Sequence, residues 1–416
     1  MIKIEKTVMK HRIDLSLTNT NMVVFATAAI FLPYILSGII LISLAIYIIW
    51  NKDTRQLVFI HPGSGIIKCL FTYMLFISFL YQNWIGLLAA IGICLAIVFA
   101  FYMRSVMTKE LYEQLLTFVC GLSLTSAGYA ITEAVISYFI DGRHNHRISS
   151  VFFHPNYFGT IVGTVIIICA YKFLTIKKNK HFYLIVACVN VINMYLCKSM
   201  FVWVEVFVGI TILLIALKKY RLLALWLSAA LLAGILIFGL NFQLIPRLSV
   251  ADVTFQLRKQ VWRITLREIK KAPLLGHGPM SFYFLTDVAY RNQIIPHAHS
   301  LYLDTILNYG IIGFALISYY CVKNYKAYIK SCLGKKNITS SYLVLAVIGA
   351  TLVHGLTDIT ILWVQTLPLL MLVLSGQGVV EKETMVDYKL WVSLPNQMKA
   401  NIMYPFLMNQ KSNKVS

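Results

Sequence analysis

Two histidines, one residue apart, stand where a polar stretch gives way to an apolar one: Pro296-His297-Ala298-His299-Ser300. A neutral imidazole is suited to removing a proton from a hydroxyl. At the mouth of a membrane helix, an ionisable group is a functional candidate by default. The plainer role for His299 is to cap or orient the helix start. Upstream, FQLRKQVWRITLREIKK at 255–271 has the spacing of an amphipathic helix ended by Pro273. Lys259, Arg263, Arg267, Lys270 and Lys271 share one face, as suits lipid phosphates or water. Phe255, Trp262, Leu266 and Ile269 occupy another, and Arg258 falls beside them. An unpaired charge on an apolar side is costly. Arg258 therefore needs either a structural carboxylate or a phosphate, which a guanidinium grips through two parallel hydrogen bonds.

The elements that must position these groups follow from composition. The chain has 416 residues, of which 59% are hydrophobic and 13% charged. Mean hydropathy is +0.73. This excludes a soluble enzyme, a disordered chain, a coiled coil and a disulfide-stapled module, and leaves an all-α polytopic membrane protein. None of the eight cysteines forms a CxxC pair, and nearly all lie in apolar runs, so they read as small buried side chains. Lys3, Lys6, Lys10 and Arg12 precede an apolar run without a convincing signal-peptidase site, so the first helix is expected to stay uncleaved.

Apolar runs fall at 16–33, 35–50, 65–81, 84–103, 113–138, 157–175, 181–197, 200–217, 220–240, 300–320, 341–359 and 361–380, with a turn expected around Pro33, Ser37 and Gly38. That makes about 12 transmembrane helices. Net charge is +21. Most of the excess is explained by five basic loops that fall on one face: Lys52 and Arg55; Arg104 and Lys109; Lys177, Lys178 and Lys180; Lys218, Lys219 and Arg221; and the Lys323–Lys336 segment. Both termini are then cytoplasmic. The opposite face receives the loop 141–156, with Arg143, His144, His146, Arg147 and His154, and the long connection 241–299, with eight basic and three acidic residues. Long translocated loops can escape the charge rule. The alternative is a surface that binds an anion. The organisation is thus 1–240, N-terminal membrane helices; 241–299, an extracytoplasmic loop with an amphipathic helix; 300–380, C-terminal membrane helices; and 381–416, a cytoplasmic tail.

Several short motifs occur in order. They are Arg258-Lys-Gln-Val-Trp262, Pro273-Leu-Leu-Gly276-His-Gly278, His297-Ala-His299-Ser300, and then Gly310 and Gly313 at the spacing His-Ser, nine residues, Gly, two residues, Gly. This series resembles the O-antigen ligase and O-antigen polymerase superfamily. His154-Pro155-Asn156-Tyr157 and His354-Gly355-Leu356-Thr357-Asp358 are similar to weaker signals of that family. The resemblance implies a metal-independent, inverting glycosyltransferase without a cofactor, acting on the outer face of the cytoplasmic membrane. Its donor would be a glycan on undecaprenyl diphosphate. His299 matches the catalytic histidine, and Arg258 an arginine assigned to the diphosphate. Where the family has Ser-Arg-Gly or similar, this chain has Cys197-Lys198-Ser199-Met200, so Met200 stands at the arginine's place. Lys198 is the nearby substitute or else an interfacial lysine. Arg143 and Arg147 are rivals.

On this reading His299 acts as base while Arg258, with Lys198 or an outer-loop arginine, stabilises the leaving diphosphate. His297 orients the loop. A metal set of His277, His297 and His299 lacks a cysteine or carboxylate to complete it. Glu205 is expected to make a helix-to-helix hydrogen bond. His354 and Asp358 are expected to pair with each other or line the acceptor path. Partners are the lipid-linked oligosaccharide, membrane lipid, a chain-length regulator and a flippase, with no nucleic acid. A polymerase for capsule or exopolysaccharide is favoured over a ligase. A transporter of lipid-linked sugars and a cell-wall scaffold are the competing classes, although no clear internal repeat supports transport.

Overall fold

The computed structural model describes residues 18–59, 64–143, 146–240, 245–285, 289–290, 293–294, 296–333 and 339–379. The tail 381–416, His144, and the basic residues before position 18 lie outside the described residues. Among the described residues the protein is helical, apart from a two-residue antiparallel ribbon pairing Ala289–Tyr290 with Gln293–Ile294.

Each of the twelve apolar runs forms a helix. They are α1 (18–29), then α2 (Tyr34–Trp50), α4 (Ser64–Leu80), α5 (Trp84–Val106), α6 (Lys109–Val135), α7 (Pro155–Thr175), α8 (Lys180–Leu196), α9 (Met200–Ala216), α10 (Tyr220–Gly234), α13 (Leu301–Leu333), α14 (Thr339–His354) and α15 (Thr366–Leu374). Outside these runs lie α3 (Lys52–Phe59), α11 (Ala251–Lys271) and α12 (Phe282–Leu285). Among the described residues, five helices are long and apolar enough to cross a membrane alone: Trp84–Val106, Lys109–Ile140, Pro155–Thr175, Tyr220–Gly239 and Leu301–Asn324. Others, such as Met200–Ala216 and Thr339–His354, are apolar but shorter.

Three local departures from the expected runs have physical reasons. Lys52 and Arg55 sit not in a loop but on α3, bent 92° from α2, because Asn51 Oδ1 accepts from the amides of Asp53 (2.9 Å) and Thr54 (3.3 Å) and starts a new helix. The run 341–359 ends its helix at His354, since the Gly355 carbonyl turns away to accept from Leu301 N at 2.8 Å. Cys69, Cys188 and Cys321 are exposed on helices rather than buried, while Cys120, Cys169 and Cys197 are buried as expected.

The glycines of the motif series explain the remaining break. Gly310 adopts φ +61° inside α13, a conformation that side chains oppose. An added Cβ there would lie 2.1 Å from the Leu274 carbonyl oxygen. The segment 273–278 docks into this break. Ile311 N and Ile312 N donate to Pro273 O (2.9 Å) and Leu274 O (3.3 Å), while His277 N and Gly278 N donate to Leu307 O (3.0 Å) and Asn308 O (2.8 Å). Tyr73 Oη donates to Tyr309 O at 2.8 Å. The freed backbone groups of a broken helix are thus satisfied internally, as an apolar surrounding requires. This module ties the loop after α11 to α13. A separate large core runs through α1, α5 to α9, α14 and α15.

Candidate active site

The loops after α6, α8 and α14, the loop before α13, and helix α11 meet at one end of the bundle. At their centre is Asp358, 4% exposed. It lies on the turn that follows α14, where Thr357 N and Asp358 N fold back onto the His354 carbonyl (3.0 and 3.2 Å). Its Oδ1 accepts from Ile359 N and its Oδ2 from Asn156 Nδ2, each at 2.9 Å. His299 Nδ1 stands 3.5 Å from Oδ1. Arg258 Nη2 stands 3.8 Å from Oδ2. The first distance is at the limit of a hydrogen bond and the second beyond it.

His299 is held in an unusual conformation. Its φ is +48°, a region costly for residues other than glycine and often retained at functional sites. Three contacts keep it there. Its amide donates to His297 Nδ1 (3.2 Å), its carbonyl accepts from Trp262 Nε1 (3.3 Å), and Ala298 N donates to Asp304 Oδ1 (2.9 Å). Asp304 in turn binds Asn308, which accepts from Ser281. Trp262 belongs to α11, whose inner face buries Val261, Thr265 and Glu268. Arg258, one turn before Trp262, lies with its guanidinium 5.4 Å from the centre of the Phe201 ring on α9. The helix therefore delivers both Arg258 and the clamp on His299.

Cations gather around this carboxylate. Arg147 donates to the Cys197 carbonyl (3.2 Å) and to Asn156 Oδ1, so it shares Asn156 with Asp358. Burial, and then the neighbouring charge of Arg247, lowers Arg147 to about 10. Lys198 is lowered by burial and then by Arg247 and Arg147, and Arg258 by burial and then, against the pull of Asp358, by Arg247. Burial pushes the Asp358 carboxyl up. The close approach and charge of His299, with His297 and His354 behind, outweigh this and hold it well below the usual carboxylate range. His154 and His297 are both held down to about 4, first by burial, then by Arg147 and His299 respectively.

Of the residues singled out from sequence, His299, Arg258, His297, Arg147 and Lys198 fall in or beside this group. Arg143 makes none of its contacts and pairs with Asp141 on an exposed turn. Glu205 makes the expected contact between helices, with His354 Nδ1 at 2.5 Å. His354 thus pairs with Glu205 and not with Asp358, which is left free to face His299 and Arg258. His277 does not join the other two histidines; its Nε2 meets the Glu268 carbonyl at 3.0 Å. His297, His299 and Asp358 do bring ligand-type atoms within 4.8 Å of one another. Asp358 already faces Arg258, however, whose charge opposes a second cation there. From sequence, Asp358 is expected to pair with His354 or line the acceptor path, and Arg247 is one of the eight basic residues of 241–299; neither is placed beside His299 by that reading.

An all-α membrane protein with a cationic pocket around a histidine and a carboxylate is the class these features define. Residues 185–318 match the family model for O-antigen ligase, a segment running from α8 into α13. The match supports the resemblance to the O-antigen ligase and polymerase superfamily over this segment. No curated protein matches the chain.

Proposed function

We propose that this protein is a polysaccharide polymerase of the cytoplasmic membrane, with about twelve membrane crossings and both termini in the cytoplasm. It transfers glycan from undecaprenyl diphosphate to a sugar hydroxyl of a second lipid-linked repeat unit at the outer face. The observation that carries this reading is the convergence of His299 and Arg258 on Asp358 (3.5 and 3.8 Å) amid surplus arginines. His299 directs Nδ1 at Asp358, leaving Nε2 for the acceptor hydroxyl. A base oriented by a third group is the arrangement needed for general-base catalysis, worth about 10²–10⁴-fold in rate. As the hydroxyl oxygen attacks the anomeric carbon, its proton passes to His299 and the bond to the diphosphate breaks. The carboxylate of Asp358 steadies the imidazolium that forms. Arg258 and Arg147, with Lys198 at the rim, stabilise the charge on the departing diphosphate. Inversion follows from a single displacement.

A ligase that moves a finished glycan to another acceptor uses the same groups. The experiment that tests the reading is His299→Ala in the native host, with analysis of lipid-linked intermediates. Accumulated single repeat units are expected. Accumulated long lipid-bound chains would identify a ligase instead, and unchanged polymer would remove His299 from the chemistry. Purified protein in vesicles separates transfer from transport: lengthened glycan supports the enzyme, whereas sugar movement without new bonds supports a transporter.

A further inference from the structure

Behind Asp358 the bundle encloses a second polar group that the proposed reaction does not use. Glu205 on α9 and His354 at the end of α14 meet at 2.5 Å, with side chains 3% and 5% exposed. A buried pair of ionisable groups is expensive to keep in an apolar surrounding. Their helices are packed unusually closely. An added Cβ at Gly349 on α14 would lie 2.1 Å from Ile212 on α9. A small cavity adjoins the pair, lined by Thr160, Thr351, Thr360 and Asp358 as well as Glu205 and His354. Its size is close to that of one water molecule.

The backbone around His354 connects this pair to both halves of the site. The His354 carbonyl accepts from the amides of Thr357 and Asp358, and so shapes the turn that presents the Asp358 carboxylate. The next carbonyl, of Gly355, accepts from Leu301 N at 2.8 Å, two residues after His299. An added Cβ on Gly355 would come within 3.0 Å of Leu301. One turn of chain therefore bonds to the segment carrying the base and also carries the base's partner. Asn156 and Thr160 on α7 hold the far side of that turn, through Asp358 and Thr360, and the imidazole of His354 on Glu205 ties its start to α9.

We propose that Glu205 and His354 are positioning residues. Their buried contact holds the 354–358 turn in register with the start of α13, and so sets the spacing between His299 and Asp358. They touch no substrate and act through Asp358. The inference rests on the reading of His299 as base.

The test compares Glu205→Gln, Glu205→Ala, His354→Gln and His354→Ala with His299→Ala in purified, reconstituted protein. Thermal unfolding is measured alongside the pH profile of kcat and the KM for the lipid-linked donor. Glu205→Ala and His354→Ala are expected to lower kcat about 100-fold, as a displacement near 1 Å at a reacting group does, with KM within about threefold of the parent. The acidic limb of the pH profile should move, because Asp358 no longer sits beside His299. Glu205→Gln keeps an acceptor for His354 Nδ1, and is expected to recover much of the rate. Where the alanine variants fail to fold, the two glutamine variants, which retain side-chain volume, carry the test. Folded variants with parental kcat and pH profile, alongside an inactive His299→Ala, would overturn this inference alone. An active His299→Ala would overturn it together with the reading it rests on.

Discussion

The two ends of α7 each place an ionised group in a buried setting, and they treat it differently. Near the C-terminal end, Lys172 is 1% exposed, yet its ammonium meets Glu113 Oε2 at 2.5 Å and the Glu113 carbonyl at 2.7 Å. Tyr171 donates to the other oxygen of Glu113 at 2.7 Å. That pair is closed. Sixteen residues earlier, about 24 Å along the helix, Asn156 leads to Asp358, where Arg258 and His299 stay at 3.8 and 3.5 Å. Arg147, Arg247 and Lys198 gather there, and among the described residues Asp358 is the carboxylate whose charge acts on Arg147. A protein that needed only stability would close both ends alike. On the proposed reading, the loosely paired end keeps positive charge in reserve for the donor's diphosphate.

The comparison can be broken first at the open end. Arg258→Met is expected to lower glycan transfer by about 100-fold or more while leaving the unfolding temperature close to the parent's. Arg258→Lys, which keeps charge but loses the planar fork, should recover only part of that rate. At the closed end the pattern reverses. Lys172→Met leaves Glu113 without its cation, and removing one partner of a buried pair costs about 3–5 kcal/mol. Glu113 is partly exposed, so the lower figure is expected, read as reduced thermal stability with kcat unchanged in the folded fraction. Equal effects of both substitutions on stability would erase the distinction between the two ends.

Acid should separate them as well. His154 and His297 have folded values near 4, below the 6.5 of a free histidine. The unfolded chain therefore binds more protons between those values, and stability is expected to fall as pH drops from about 6.5 to about 4. Asp358 has a depressed value, so its contribution is present above the ordinary carboxylate range and is lost at still lower pH. Thermal unfolding across pH should show this slope in the parent and a flatter one in His154→Gln with His297→Gln. The smallest effect is expected for Trp262→Phe. It loses one hydrogen bond to the His299 carbonyl, worth about 1 kcal/mol, and transfer rates should drop only severalfold.

Much of this arrangement is legible in the sequence because it is periodic or local. Hydropathy locates the helices, but the wheel of 255–271 misplaces the buried face: Phe255 and Leu266 are exposed, and Val261, Thr265 and Glu268 are buried instead. Gly276, Gly278, Gly310 and Gly313 mark a site of close backbone approach. What is not legible is pairing over distance. Glu205 and His354 are 149 positions apart, and no periodicity says that one finds the other. One turn apart on a continuous helix, His354 and Asp358 would pair with each other or line the acceptor path. The helix stops at His354, and the turn beyond it swings the carboxylate toward the histidine loop. Arg143 and Arg147 have the same chemistry four residues apart, and only the path of the loop sends Arg147 to Asn156 and leaves Arg143 with Asp141.

The most direct measurement is single-turnover transfer in vesicles, using purified parent and His299→Ala proteins with a radiolabelled lipid-linked repeat unit. The account predicts that both proteins retain the labelled donor, that the parent releases lipid diphosphate as the glycan lengthens, and that the variant does neither. Lengthening by the variant at the parental rate would contradict it.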